Sequence, residues 1–314
     1  MERVATLPNA IVPSMNLHTI ARVSSLLILL GLLPVPAWPA PYQGIDEILA
    51  QSPASDWHTP AEEDLVYMDL PAGRVVIELA PAFAPRHVAN VRALIREKYF
   101  DGLSINRAQD NYVVQWGDPD EVHPRSVGSA NAHLPAEFTR SSKALPFTRL
   151  PDPDTYAPEV GFAGDFPAAR DPKTGLAWLA HCYGMVGAGR DNDADSGGGT
   201  ELYAVIGHAP RHLDRNVTLL GRVLQGMPLL STMPRGTGAL GFYEQASQRV
   251  PIKTVGLWRD LPPEQRHPLE VLRTDSATFA RVIESRRNRR DEWTKSPAGH
   301  IELCNAPLQV RVRP

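Results

Sequence analysis

The chain has 314 residues, of which 43% are hydrophobic and 21% are charged, and its formal net charge is -3. This composition excludes a disordered chain and is typical of a globular protein with one or two domains. The chain also lacks the excess of basic residues that draws proteins to nucleic acid, so we expect no nucleic-acid partner.

The first 37 residues have the pattern of a cleaved secretory signal peptide. Arg22 precedes the apolar run from Val23 to Leu33, and Val35-Pro36-Ala37 supplies small residues at the positions that a signal peptidase reads. Such a short run cannot span a bilayer, so an uncleaved anchor is the less favoured alternative, and we expect no stable membrane insertion after cleavage. The sequence therefore predicts a periplasmic or secreted protein.

The segment 38–63 contains four prolines and little periodicity, which predicts a linker or an arm lying over the domain. The ordered domain is expected to begin at Asp64. Alternating apolar residues on both sides of a Pro-Ala-Gly turn predict a β-hairpin between Val66 and Leu79. From Pro85 to Tyr99 the apolar residues recur every three or four positions, which predicts a helix with proline in its first turn.

The middle of the chain is typical of a mainly β domain, because its apolar runs are too short for helices and are separated by turn residues. These runs are Tyr112 to Val114, Leu176 to Cys182, Leu202 to Ile206, Val217 to Val223 and Ile252 to Trp258. Met227 to Met233 predicts one short helix. Residues 119–174 are rich in Pro, Asp and Ala, which predicts a long insertion with local structure rather than a second core.

Residues 259–314 predict a C-terminal extension that packs on this domain. Asp275 or Ser276 can cap a helix that ends in a run of arginines from Arg286 to Arg290, and a strand is expected within 301–313. The basic run favours a solvated helix end over a site for anionic lipid or an acidic partner. Cys182 and Cys304 can form a disulfide in an exported protein or stay as free buried thiols, and the sequence leaves both alternatives open.

The stretch INRAQDNYVVQWGD, from Ile105 to Asp118, carries the most chemistry in the chain. Arg107 has a permanent charge and a fork of N–H donors, Tyr112 offers a flat apolar face, and Gln115 offers an amide that can hold the arginine. These three side chains suit a site that acts on an X-proline peptide bond.

This stretch, together with GLAWLAH, GGGTELYAVIG and HLDRNVTLLGRVLQGM, resembles the cyclophilin-type peptidyl-prolyl isomerases over residues 64–258. The resemblance implies a mainly β fold, a closed eight-stranded antiparallel barrel with two helices, to which this chain adds the insertion and a C-terminal helix-strand extension. It implies a monomeric peptidyl-prolyl cis-trans isomerase that assists the folding of exported proteins. Its partners would be proline-containing polypeptides, and it would need no cofactor and no metal.

The motifs also imply which residues form the site. Two positions match catalytic residues and six match substrate-binding residues: Arg107 and Gln115 in the first group, and Tyr112, Val113, His181, Glu201, Tyr203 and Leu213 in the second. Arg107 would hydrogen-bond the prolyl nitrogen only when the peptide bond is twisted, which stabilises the transition state more than the planar ground state. The backbone N–H of His181 would bind the substrate carbonyl.

Other positions depart from the family's pattern. Asn106 stands in place of a histidine, Glu201 in place of a glutamine, and His212 and Val217 where tryptophan and histidine are common. A carboxylate at Glu201 can pair with Arg107 and either fix the guanidinium or draw it away from the substrate. The alternative function is therefore a catalytically weak or inactive proline-peptide-binding module or chaperone. A third hypothesis, a structural envelope protein, depends on the insertion and the basic tail.

The acidic loop around Asp193 has some features of a calcium site, because three aspartates alternate in GRDNDADSGGGT. In the helix-flanked calcium loop a glycine follows the third acidic residue directly, whereas here Ser196 intervenes, and the closing position holds Leu202 instead of glutamate. We therefore expect a flexible loop and no metal site.

Overall fold

The computed structural model describes residues 42–120 and 122–313, so the expected signal peptide and the start of the arm lie outside the described residues. The four helices of this part are α1 (Ile45–Ala50), α2 (Pro85–Arg96), α3 (Met227–Ser231) and α4 (Ala277–Arg287). The first ten strands are β1 (Trp57–His58), β2 (Leu65–Leu70), β3 (Gly73–Leu79), β4 (Ser104–Ala108), β5 (Val113–Gly117), β6 (Arg140–Ser141), β7 (Thr148–Arg149), β8 (Glu159–Ala163), β9 (Phe166–Asp171) and β10 (Leu176–Leu179). The remaining strands are β11 (Met185–Ala188), β12 (Glu201–Val205), β13 (Leu219–Gln225), β14 (Val250–Pro251), β15 (Thr254–Leu257), β16 (Leu269–Leu272) and β17 (Val310–Val312). Across these ranges no helix has the length and apolarity needed to cross a membrane.

The largest sheet has nine antiparallel strands in the order β14-β4-β5-β12-β11-β13-β3-β2-β15. Its two edge strands, β14 and β15, are separated by only Ile252 and Lys253, whose N–H groups donate to Leu103 and Asp69 on opposite sides at 2.8 Å. The sheet is thus a curled half-barrel of nine strands, and the expectation of a closed eight-stranded barrel is corrected. The reason is that residues 250–257 form two short strands instead of one. Strand β14 pairs with β4 at one edge, and β15 pairs with β2 at the other.

The concave side of this sheet encloses the first apolar core, which α2 covers. Pro85 stands at the start of α2 and the buried residues Val88, Val91, Leu94 and Ile95 form its inner face, as the apolar spacing predicted. The inward strand residues alternate with outward ones, so Val114 and Trp116 of β5 are buried in this core. The short helix after Gly226 is also observed; that glycine has φ of 92°, a conformation that disfavours other residues.

A second sheet, in the order β6-β10-β9-β8-β7, is built mainly from the insertion. Its apolar residues join a second cluster, here called the outer core, which includes Phe162, Trp178, Phe279, Val282 and Leu303. Phe162 of β8 meets Phe279 of α4 edge to face, with ring centroids 5.2 Å apart. The expectation of local structure without a second core was therefore wrong. The insertion shows little periodicity because tail residues more than 100 positions later complete its core.

The C-terminal extension packs against both sheets. Ser276 caps α4 by accepting a hydrogen bond from the N–H of Phe279 at 3.0 Å, as the sequence predicted. The small sheet β1-β16-β17 ties the extension to the start of the described chain. Cys182 and Cys304 form a disulfide with a Cα–Cα distance of 4.9 Å, which resolves the alternative that the sequence left open. Helix α1, which the proline-rich arm did not predict, brings the number of helices in the described part of the chain to four.

Candidate active site

Three neighbouring strands place the proposed site residues in one row. Arg107 of β4 is opposite Gln115 of β5, and Gln115 is opposite Tyr203 of β12. Residues opposite each other in a ladder share a face, and side chains alternate along a strand. Val113 and Glu201 therefore share that outer face with Gln115 and Tyr203, and strand pairing assembles the site.

Three hydrogen bonds fix the guanidinium of Arg107. Its Nη1 donates to Oε1 of Gln115 at 2.9 Å, its Nε donates to the carbonyl oxygen of Leu240 at 2.7 Å, and its Nη2 donates to Oε1 of Gln109. Burial lowers the pKa of Arg107, yet arginine stays charged because its pKa starts so high. The guanidinium is therefore held in one orientation. Each Nη atom has a second N–H that can still donate a hydrogen bond to a substrate.

Two aromatic rings flank the same guanidinium. The Cζ atom of Arg107 lies 5.8 Å from the ring centroid of Tyr112 and 5.3 Å from that of Phe242. Phe242 and the neighbouring Leu240 are partly exposed at 36% and 65%, so they form the rim of the site. Sequence reasoning missed both residues, because the loop that carries them has no periodic pattern.

Glu201 is connected to Arg107 through Gln115. The Nε2 of Gln115 donates to Oε2 of Glu201, while its Oε1 accepts from Arg107. A carboxylate only accepts hydrogen bonds, so Glu201 requires the NH2 group of the amide to face it. The carboxylate thereby determines which end of Gln115 meets the arginine.

The expected proline pocket lies in the outer core. Tyr112, Val113 and Tyr203 all belong to that cluster, with Tyr112 half-buried and the other two buried. Gly187 of β11 is opposite Tyr203, and a Cβ atom at Gly187 would lie 2.3 Å from the hydroxyl oxygen of Tyr203. Only glycine leaves room for this ring. The signal in the sequence is the Gly187-Ala188-Gly189 run.

His181 does not occupy the expected position on the substrate side. Its side chain is fully buried, and its backbone N–H donates to Oδ1 of Asp214 at 2.9 Å, so that N–H is not free to bind a substrate carbonyl. Burial lowers the pKa of His181, which keeps the ring neutral. The ring Nδ1 then donates to Asp214 at 2.9 Å and Nε2 accepts from the Tyr203 hydroxyl at 3.0 Å. His181 thus supports Tyr203 from behind.

A buried charged network continues from His181 into the insertion. Nε of Arg211 donates to Oδ2 of Asp214 at 2.6 Å, and its two Nη atoms donate to Asp154 at 3.1 and 3.3 Å. Burial by itself raises the pKa of Asp214, but the hydrogen bonds from His181 and the charge and hydrogen bond of Arg211 lower it further than burial raises it. Leu213, directly before Asp214, is half-buried in the same short turn. The insertion therefore contacts the back of the expected pocket.

The remaining departures from the family's pattern are less central. Asn106 is buried and neither its side-chain oxygen nor its nitrogen has a hydrogen-bond partner. His212 is exposed and Val217 is half-buried. None of the three contacts the guanidinium of Arg107 through a hydrogen bond or ring interaction within the described residues.

Comparisons with known proteins identify the family. Residues 65–257 match the family model for the cyclophilin type peptidyl-prolyl cis-trans isomerase/CLD. A probable peptidyl-prolyl cis-trans isomerase of Brucella suis is 25% identical over 186 residues, which cover 56% of this chain and 74% of that protein. The human peptidyl-prolyl cis-trans isomerase-like 1 is 24% identical over 215 residues, which cover 68% of this chain and 99% of that protein.

One solved structure extends the likeness beyond the matched domain. The cyclophilin AquaCyp293 of Hirschia baltica has a TM-score of 0.65 and 23% identity, and covers 85% of this chain and 97% of its own. This likeness supports the fold alone. The family match covers more than half of the chain, and it includes the row of Arg107, Gln115 and Tyr203. The chain therefore belongs to the cyclophilin-type peptidyl-prolyl cis-trans isomerases.

Proposed function

We propose that Arg107 catalyses the rotation of X-proline bonds in polypeptides that bind beside Tyr112 and Tyr203. The observation that carries this proposal is the fixed guanidinium, held by Gln115, Gln109 and Leu240 at the edge of an aromatic cluster. The proline ring lies against the aromatic faces, and the guanidinium meets the prolyl nitrogen.

The mechanism follows from the electronic structure of the peptide bond. Rotation has a barrier of about 18–20 kcal/mol, because the nitrogen lone pair is delocalised into the carbonyl group. In the twisted state the lone pair localises on nitrogen and can accept a hydrogen bond from Arg107, whereas the planar state offers no such acceptor. The bond therefore stabilises the transition state selectively, and its donor is already oriented.

The test is an isomerisation assay on a proline peptide. Replacing Arg107→Ala is expected to lower kcat/KM by about 100-fold, the usual effect of removing one oriented donor from a transition state. Arg107→Lys is expected to recover little, because an ammonium cannot keep three planar contacts. Arg96→Ala, at an exposed arginine of α2, is the matched control. An Arg107→Ala variant as active as that control would refute the mechanism.

We also propose that the protein acts outside the cytoplasm on exported polypeptides. Uncatalysed isomerisation takes tens to hundreds of seconds, so the folding of exported chains has a slow step to accelerate. The signal-like pattern ending at Ala37 supports this location, and so does the Cys182–Cys304 disulfide, since disulfides persist in oxidising compartments.

Processing can be tested directly in cells that produce the full chain. Mass spectrometry of the exported fraction is expected to find a protein that begins at Trp38. A protein that keeps its apolar run and stays with the cytoplasmic fraction would contradict the proposal.

A further inference from the structure

A cavity of about 620 Å³ lies away from the proposed active site. We call it the tail cavity, because the segment 303–310 of the C-terminal extension forms one of its walls against β11, β13 and the start of α3. None of the proposed catalytic or substrate-binding residues lines it. Its volume falls within the range of about 300–1,000 Å³ that small-molecule sites have.

The walls of the tail cavity combine apolar side chains with positive charge. The apolar part includes Met185, Leu224, Met227 and Leu308, and the cationic part consists of two arginines. No aspartate or glutamate is among the described residues that line it. This combination fits a molecule with one negative end and one apolar end.

Arg222 has an unused donor although it is only 5% exposed. Its Nε donates to Oε2 of Glu78 at 3.2 Å, but its buried Nη2 has no hydrogen-bond partner. Leaving a buried charged donor unsatisfied costs free energy, so such an atom points to an acceptor that the protein itself does not supply. Burial and the nearby Asp165 also raise the pKa of Glu78 to about 7.

Arg286 supplies the second charge. It lies in the last turn of α4, is exposed, and makes no hydrogen bond or ion pair with any described residue, whereas the adjacent Arg287 is paired with Asp152. The two cavity arginines thus differ in burial but share an unused capacity to bind an anion. Arginine is well suited to this because its planar fork matches a carboxylate.

We propose that the tail cavity binds an amphiphilic carboxylate, whose negative group is neutralised by Arg222 and Arg286 and whose apolar chain lies against Met185, Leu224 and Leu308. A singly charged head group fits better than a phosphate dianion, because Arg286 is the one exposed cation among the described residues of the cavity wall and Arg222 already bonds Glu78. The proposal does not depend on the mechanism at Arg107, since the two sites share no residue.

The test is equilibrium dialysis of the full chain against radiolabelled octanoate, with octan-1-ol as the neutral probe of equal chain length. Octanoate is expected to bind with one-to-one stoichiometry, and octan-1-ol at least about tenfold more weakly, since it lacks the charge. Absent octanoate binding, or equal binding of both probes, would overturn the proposal.

Variants locate the site without disturbing the buried pair at Arg222. Arg286→Gln is expected to weaken octanoate binding by about tenfold, whereas Arg290→Gln, an exposed arginine of the same basic run that does not line the cavity, should leave it unchanged. Leu308→Trp is expected to abolish binding by filling the cavity. Circular dichroism and isomerase activity establish that each variant is folded. Equal affinity in folded Leu308→Trp or Arg286→Gln would refute the assignment.

Discussion

At the scale of single residues, Gln115 is the shared element of the site, because its two amide atoms serve different partners. Its oxygen accepts from Arg107 and its nitrogen donates to Glu201. A glutamine at position 201 could face Gln115 with either end of its own amide, whereas a carboxylate allows only one arrangement. Glu201 thus brings order to the donor network but also places a negative charge near the guanidinium that we propose to be catalytic.

Glu201→Gln separates these two effects. The variant can still accept a hydrogen bond from Gln115, but it no longer weakens the positive potential of Arg107 at the prolyl nitrogen. We expect kcat/KM for a proline peptide to rise about threefold to tenfold, in line with roughly 1 kcal/mol of electrostatic relief. Glu264→Gln, at an exposed position, is the control. A fall in activity would mean that orientation of Gln115 is the larger effect.

The grouping of Arg107, Tyr112 and Gln115 was predictable because Arg107 and Gln115 lie on adjacent strands of one hairpin and Tyr112 lies in the turn between them. The far wall was harder to predict, since it depends on the register between strands that are distant in sequence. That register places Gly187 opposite Tyr203, while His181 lies behind the Tyr203 hydroxyl. His181 thus matches the family's motif in sequence but lies behind the expected pocket in the structure.

At the scale of structural elements, the hairpin of β2 and β3 and helices α2, α3 and α4 followed from local periodicity and capping. The insertion did not, because its strands are short and two of them have only two residues. Helix α4 completes the apolar core of the insertion. No local sequence pattern in the insertion indicates a packing partner that lies so far along the chain.

A buried polar contact joins the main sheet to this insertion. Glu78 of β3 bonds Arg222 of β13 and is close to Asp165, in the turn between β8 and β9, and Asp165 in turn bonds His58 at 2.8 Å. Burial is the main reason that the pKa of Glu78 rises to about 7, and the hydrogen bond to Asp165 is the main reason that the pKa of His58 rises.

Glu78→Gln tests how this contact responds to pH. A folded-state pKa raised from 4.5 to about 7 contributes stability that is present below pH 4.5 and is lost as the pH rises through 7. The wild type should therefore lose on the order of 2–3 kcal/mol more than the variant between pH 5 and pH 8, as measured by urea unfolding. His58 acts in the same direction in both proteins, and its contribution is smaller in the variant because the charge of Glu78 helps to raise the pKa of His58. Parallel pH profiles would contradict the raised pKa.

At the scale of the whole molecule, the disulfide fastens the C-terminal extension to the segment that precedes β11. Cys182 and Cys304 are separated by 122 positions, and Cys182 directly follows His181. The outer core contains Phe279, Val282 and Ile283 of α4, so removal of the extension would expose the apolar face of the insertion. The tail is thus part of the folded unit.

The double variant Cys182→Ala, Cys304→Ala is expected to lose about 4–5 kcal/mol of unfolding free energy, because a long loop in the unfolded chain is no longer closed. Denaturant titration measures the loss, and the wild type in reducing agent should show a similar value. A loss below about 1 kcal/mol would indicate that packing alone holds the extension.

The position of β14 and β15 in the chain has a consequence for the order of folding. These edge strands come from residues 250–257, yet they pair with β4 and β2, which precede them by more than 140 positions. A nascent chain therefore leaves the edges of β2 and β4 uncovered until almost the whole domain has been synthesised. Such distant pairing slows folding, and uncovered edges are prone to aggregate. A protein that we propose to accelerate the folding of other chains would itself be a slow folder, dependent on protection until residue 257 has emerged.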